Sequence, residues 1–115
     1  MVAVRGRSGA AVDHLQFLFV DVNTGQYVES QRFGGGGGSE FLYQAPPGQY
    51  INKVYASYGN TLNLISFETN LGDKSRQFGQ PGPRQGQFIV QGKRITGVRV
   101  RYGNLIDKVQ FLAAQ

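Results

Sequence analysis

The chain has 115 residues, with 12 Lys plus Arg against 7 Asp plus Glu for a formal charge of +5. Seventeen glycines, no cysteine, no tryptophan and a single histidine exclude a disulfide scaffold and a thiolate metal site, and leave no basis for a metal cluster or a serine-histidine triad. An apolar fraction of 40% fills one core, so residues 1–115 are read as a single domain with no catalytic machinery, cofactor or metal. No apolar run is longer than Phe17–Val20, which argues against membrane insertion. The first twenty residues lack the apolar stretch of a signal peptide, so secreted and cytosolic locations both stay open, with the secreted one favoured. A pI near 9.8 points toward acidic or polyanionic partners.

Between the glycines the segments are short, β-branched and aromatic. They predict strands over 15–20, 50–55, 62–69, 88–90, 95–100 and 108–112. Turn chemistry separates them in chain order: Asn23-Thr24-Gly25, Pro46-Pro47-Gly48, Tyr58-Gly59-Asn60 and Gln80-Pro81-Gly82-Pro83. The clearest strand lies near the end, where Val98, Val100 and Tyr102 alternate with Arg99 and Arg101 in the period of two of a half-buried strand. Helix content is expected near zero, and the fold class is all-β with about ten strands.

Aligning the chain on Gly9, Gly59 and Gly103 gives three copies, spaced 50 and 44 residues apart. In each, a valine lies five residues before the glycine (Val4, Val54, Val98) and an aliphatic three after it (Val12, Leu62, Ile106). Asp or Asn follows at four (Asp13, Asn63, Asp107) and phenylalanine at eight (Phe17, Phe67, Phe111). Agreement at so many typed positions marks an internal triplication. A second element recurs: Gly34–Gly38 precedes Phe41, and Gly79, Gly82 and Gly86 precede Phe88. Runs such as Gly34–Ser39 usually serve as flexible linkers, but this one falls where the repeat demands a loop. It is no phosphate loop, since no Gly-Lys-Ser/Thr closes it. Three units that cannot each bury one face alone must meet around a pseudo-threefold axis, as in a three-sided β-prism. A β-trefoil is threefold too, but its units would be nearer equal in length.

This pattern resembles the jacalin-related lectins, whose repeats combine a glycine-rich loop with a Gly-x-x-x-Asp turn. The resemblance rests on Gly9-Ala-Ala-Val-Asp13, Gly103-Asn-Leu-Ile-Asp107, the departing Gly59-Asn-Thr-Leu-Asn63 and the stretch Ile65-Ser-Phe-Glu-Thr-Asn-Leu-Gly72, and it runs over 2–112. It implies a β-prism of three Greek-key sheets and binding of terminal mannose- or glucose-type sugars. Glycans or glycoproteins are then the partners, engaged by a homo-oligomer or by part of a larger protein. In the family, each repeat's Asp faces the glycine loop that follows, and the last faces a loop at the N-terminus. The first site would thus comprise Gly9, Asp13, the amides of Ala10 and Ala11, and the loop amide of Gly38. A further site would comprise Gly103, Asn104, Leu105 and Asp107, although the opening glycine loop and its strand are missing from this chain. Either that site is degraded, or another subunit or a longer chain supplies them. A weak third site would pair Asn63 with the loop ending at Gly86.

The chemistry supports the same reading. A carboxylate accepts two vicinal hydroxyls at once, and backbone N–H groups of a glycine turn donate to the same hydroxyl oxygens. The bland alternative is that Asp13, Asn63 and Asp107 cap their own turns, and for Asn63 it is the favoured one. Phe17, Phe67 and Phe111 are expected in the core. Tyr58 and Tyr102, next to the turn glycines, are expected either beside a sugar or in the structure; His14 is expected at the rim. A rival reading uses charge: Arg5, Arg7, Arg99 and Arg101 fall at equivalent outward positions and would bind sulfated or acidic glycans or other polyanions, the fold serving as an adhesion scaffold. Nucleic acid ranks lower, because no aromatic platform alternates with these arginines.

Overall fold

The computed structural model describes the backbone of residues 1–91 and 94–114, and the side chains of residues 1–84 and 94–113. Eleven strands and no helix are found among them: β1 (Ala3–Ser8), β2 (Val12–Val20), β3 (Tyr27–Glu29), β4 (Phe33–Gly34), β5 (Ser39–Gln44), β6 (Ile51–Tyr58), β7 (Leu62–Thr69), β8 (Phe78–Gly79), β9 (Arg84–Gln91), β10 (Arg94–Tyr102) and β11 (Ile106–Ala114). Every predicted strand segment falls on one of these. The strands missing from the predicted segments are β1 and β5, whose glycine, serine and charged residues dilute the β-branched signal, and the short β3, β4 and β8, which carry too few residues to display an alternation.

The strands form three antiparallel sheets. The first runs β3-β2-β1-β5, with β4 also pairing with β2; the second runs β8-β7-β6-β9; the third contains β10 and β11. The first two are built alike: a central hairpin (β1–β2 or β6–β7), an added strand on one edge (β5 or β9), and a two-residue strand on the other (β4 or β8). Among the described residues the third sheet has only its hairpin. Each hairpin is irregular at the same place, just before its turn: the register shifts between Arg7 and Ser8, between Ser57 and Tyr58, and between Arg101 and Tyr102.

One face of each hairpin points to a shared core. Val12, Leu62 and Ile106, equivalent by repeat, are each fully buried, as are Leu15 and Ile65, and Phe17, Phe67 and Phe111 lie beside them. Phe17 meets Phe111 edge to face at 5.6 Å, and Phe41 stacks on Phe78 at 3.9 Å between ring centroids. Phe33 and Phe78, both buried, each precede a glycine that ends a two-residue strand. A buried phenylalanine contributes roughly 1.5–3 kcal/mol, so these rings hold the sheets together and anchor the glycine loops at their ends.

Candidate functional site

At one end of the prism the three hairpin turns close in the same way. The turn glycine donates its N–H to the carbonyl two residues on: Gly9 to Ala11 at 2.9 Å, Gly59 to Thr61 at 3.0 Å and Gly103 to Leu105 at 3.0 Å. The side chain at the fourth position then differs among the copies, and so does what faces it.

In the first copy, Asp13 leaves β2 half-buried and points at the polyglycine loop between β4 and β5. A Cβ on Gly37 would lie 2.7 Å from its Oδ2, and one on Gly38 would lie 2.9 Å from its Oδ1. Gly38 adopts φ +75°, which L side chains rarely take, so glycine is needed there both for the turn and for the close approach. The same residue comes within reach of the turn, with its Cα 3.8 Å from where a Gly9 Cβ would stand. Asp13, Gly9 and Gly38, which the resemblance groups into one site, are thus together. The carboxylate has no hydrogen-bond or ion-pair partner among the described residues, and it does not cap its own turn. The N–H groups of Ala10, Ala11 and Gly38 likewise find no protein acceptor there. A half-sheltered anion beside unpaired N–H donors is a cup that accepts from hydroxyl hydrogens and donates to hydroxyl oxygens.

In the second copy the side chain turns inward. Asn63 Oδ1 accepts the Gly59 N–H at 3.0 Å, the capping arrangement favoured for this residue from sequence. Its facing loop also ends earlier than expected. β9 begins at Arg84, so Gly86 stands within a strand and the loop closes at Pro83. The reason is local: Ser57 Oγ accepts the Gly82 N–H at 2.8 Å, and the Arg84 guanidinium donates to the Gly59 carbonyl at 2.7 Å, which ties the loop down before Gly86 is reached. The surroundings of Gly86 lie outside the described residues.

In the third copy Asp107 is exposed, and no glycine loop faces it among the described residues. Gly103 and Asn104 are exposed and Leu105 half-buried. The turn instead abuts the first copy's loop, since a Cβ on Gly35 would lie 2.6 Å from the Asn104 carbonyl oxygen. The polyglycine loop is lodged between the first and third turns.

The aromatic neighbours of the turns both contact the frame, Tyr58 half-buried and Tyr102 exposed. Burial raises the Tyr58 hydroxyl above its usual pKa, and its oxygen accepts the Val109 N–H at 3.5 Å. Tyr102 sits edge-on to Phe33 at 5.4 Å. His14 is half-buried beside the loop, opposite Arg7 in the β1–β2 register. The four arginines of the charge-based reading divide between two sheets, Arg5 and Arg7 on β1, Arg99 and Arg101 on β10. Arg5 pairs with Glu29 at 3.3 Å and Arg7 with Glu40 at 3.2 Å, whereas Arg99 and Arg101 have no acidic partner among the described residues. Cross-strand carboxylates, which a count of charges along the chain does not register, neutralise half the patch. No group of three His, Asp or Glu is placed to hold a metal among the described residues.

A family model described as Jacalin-like lectin domain matches residues 1–112. The fold is similar to that of AcmJRL, a mannose-binding jacalin-related lectin from Ananas comosus, with a TM-score of 0.79 at 24% identity over 96% of this chain and 78% of that one. It is also similar to a galactose-specific lectin from Artocarpus hirsuta in complex with methyl-α-D-galactose, with a TM-score of 0.83 at 17% identity over 100% of this chain and 92% of that one. Malaysian banana lectin aligns with a TM-score of 0.71 at 22% identity, over 98% and 83% of the respective chains.

Proposed function

The chain belongs to the jacalin-like lectin family, whose members bind carbohydrate and are not enzymes, and from that premise we propose that it binds terminal mannose- or glucose-type sugars in the cup formed by Asp13, the Gly9–Val12 turn and the Gly34–Gly38 loop. One observation carries this reading: the half-buried Asp13 carboxylate faces bare main chain and has no partner among the described residues. Two vicinal hydroxyls donate to its oxygens, and the N–H groups of Ala10, Ala11 and Gly38 donate to hydroxyl oxygens of the same sugar. A mannose-binding and a galactose-specific lectin share this fold, so the mannose- or glucose-type preference rests on the Gly-x-x-x-Asp resemblance and not on the neighbours. Residues 1–115 act as one binding unit. Asp107 with Gly103, Asn104 and Leu105 forms a second, weaker site, since it lacks a facing loop among the described residues, and Asn63 contributes none.

A few exposed hydrogen bonds to one monosaccharide give affinity of about 1 mM, near −4 kcal/mol. Useful binding of glycoproteins then needs several sites on one particle, by oligomerisation or by linkage to further modules. The polyanion reading keeps one supporting observation, the unpaired outward Arg99 and Arg101. A glycan array probed at low and moderate salt separates the two. Hydroxyl recognition is expected to give mannose-terminated signals that hold their strength, while polyanion binding would favour sulfated glycans and fall steeply with salt.

Gly37→Ala offers a local test. Gly37 does not take a positive φ, so alanine fits its backbone, but the new Cβ would stand 2.7 Å from Asp13 Oδ2 and drive the carboxylate off the loop. Melting within a few degrees of wild type and a loss of sugar affinity of about tenfold or more are expected, the equivalent of one hydrogen bond to a charged group. Titration calorimetry beside a thermal melt measures both.

A further inference from the structure

Arg7 falls at a wet-face position, two residues before the turn glycine, where an arginine ordinarily only meets solvent. Here its guanidinium is turned onto the glycine loop: Nε donates to the Gly37 carbonyl at 3.1 Å and Nη2 to the Gly38 carbonyl at 2.8 Å. Nη1 reaches Glu40 Oε1 at 3.2 Å, across the β1–β5 register in which Arg7 opposes Glu40. One planar fork thus engages two consecutive loop carbonyls and a carboxylate, a contact set that a lysine ammonium cannot reproduce. The equivalent residue of the second copy performs the same task with different chemistry, as Ser57 holds Gly82 and donates to the Arg84 carbonyl at 3.2 Å.

We propose that Arg7 is a positioning residue for the sugar site: it holds the Gly37 and Gly38 carbonyls on its own side of the loop and so aims the Gly38 N–H into the cup. The inference rests on the proposed function and deepens it. No cis peptide bond is present, and in a trans peptide the carbonyl and the following N–H point in opposite directions. Fixing the Gly37 carbonyl toward Arg7 therefore fixes the Gly38 N–H away from it, and fixing the Gly38 carbonyl does the same for Ser39, where β5 begins. A run of five glycines has no side chains to order it, and each glycine loses more backbone freedom on ordering than any other residue. Without the clamp, that ordering would fall on the sugar-binding step and weaken it.

The test uses Arg7→Ala, Arg7→Lys and Glu40→Gln, with Arg5→Ala as a control on the same face that touches no loop residue among the described contacts. Affinity for methyl α-mannoside is measured by NMR titration, and the 15N backbone order parameters of Gly37 and Gly38 are measured without sugar. Arg7→Ala is expected to weaken binding about tenfold, the equivalent of re-ordering one backbone residue, and to lower the Gly37 and Gly38 order parameters while the chain still melts as a folded protein. Arg7→Lys should recover part of the loss, Glu40→Gln should lose less, and Arg5→Ala should bind as wild type. Wild-type affinity and unaltered Gly37 and Gly38 order parameters in both Arg7 variants would overturn the clamp. Lower order parameters in Arg7→Ala, in a protein whose wild type binds no hexose, would uphold the clamp and overturn the sugar reading on which its purpose rests.

Discussion

Asp13→Ala is expected to abolish measurable binding of neutral hexoses while leaving the fold intact. The carboxylate would accept two hydroxyls, and hydrogen bonds to a charged group contribute roughly 1.5–3 kcal/mol each. Losing both lowers affinity by on the order of a hundredfold or more, which moves an already weak site of about millimolar strength out of reach of titration. The same substitution should cost the fold little, because Asp13 is half-exposed and no protein donor among the described residues depends on it. Changes at such positions usually stay within about 0.5 kcal/mol. Asp13→Asn should fall between, keeping one acceptor and losing the charge. The pairing of lost binding with an unchanged melt is the signature to look for; a variant that loses both would indicate a structural role.

The largest effect on stability is expected at Phe78. Its ring is 2% exposed, stacks on Phe41 at 3.9 Å and 11°, lies 6.3 Å from Phe67, and carries the Arg76 guanidinium 4.8 Å above its centroid. Truncating a buried phenylalanine to alanine typically costs about 3–5 kcal/mol, transfer and cavity together. For a domain of this size that corresponds to a fall in melting temperature of about 10–20 °C. Because Phe41 sits two residues into the strand that follows the polyglycine loop, the loss should also loosen the sugar site, so affinity and stability decline together. Circular dichroism melts of Phe78→Ala and of the milder Phe78→Leu check the size and the order of the effect.

These two residues also mark what could and could not be read from the chain. Asp13 was legible because its position recurs: the turn glycine, the buried aliphatic and the core phenylalanine repeat three times, and the shared closing hydrogen bonds follow the same frame. The three-sheet arrangement was legible for the same reason, since repeated apolar positions imply repeated buried faces. Phe78 was not, because its strand is two residues long and a period of two needs more residues to show. Along the chain Arg7 shows only as one of the alternating cationic positions, and only the cross-strand register brings Glu40 and the loop carbonyls to it. In the second copy the glycine count overran the loop, because what ends that loop is a serine hydroxyl at Ser57 and an arginine at Arg84, neither of which signals a boundary in sequence. Side chains that act through register leave little trace along the chain, whereas those that act through repetition leave a strong one.

The most direct measurement is a titration of the 15N-labelled protein with methyl α-mannoside, followed at every backbone amide. Saturating shifts centred on Ala10, Ala11, Asp13 and Gly38, absent in Asp13→Ala, are the predicted result. Shifts confined to the β10 arginines, or shifts at the loop that persist unchanged in Asp13→Ala, would contradict it.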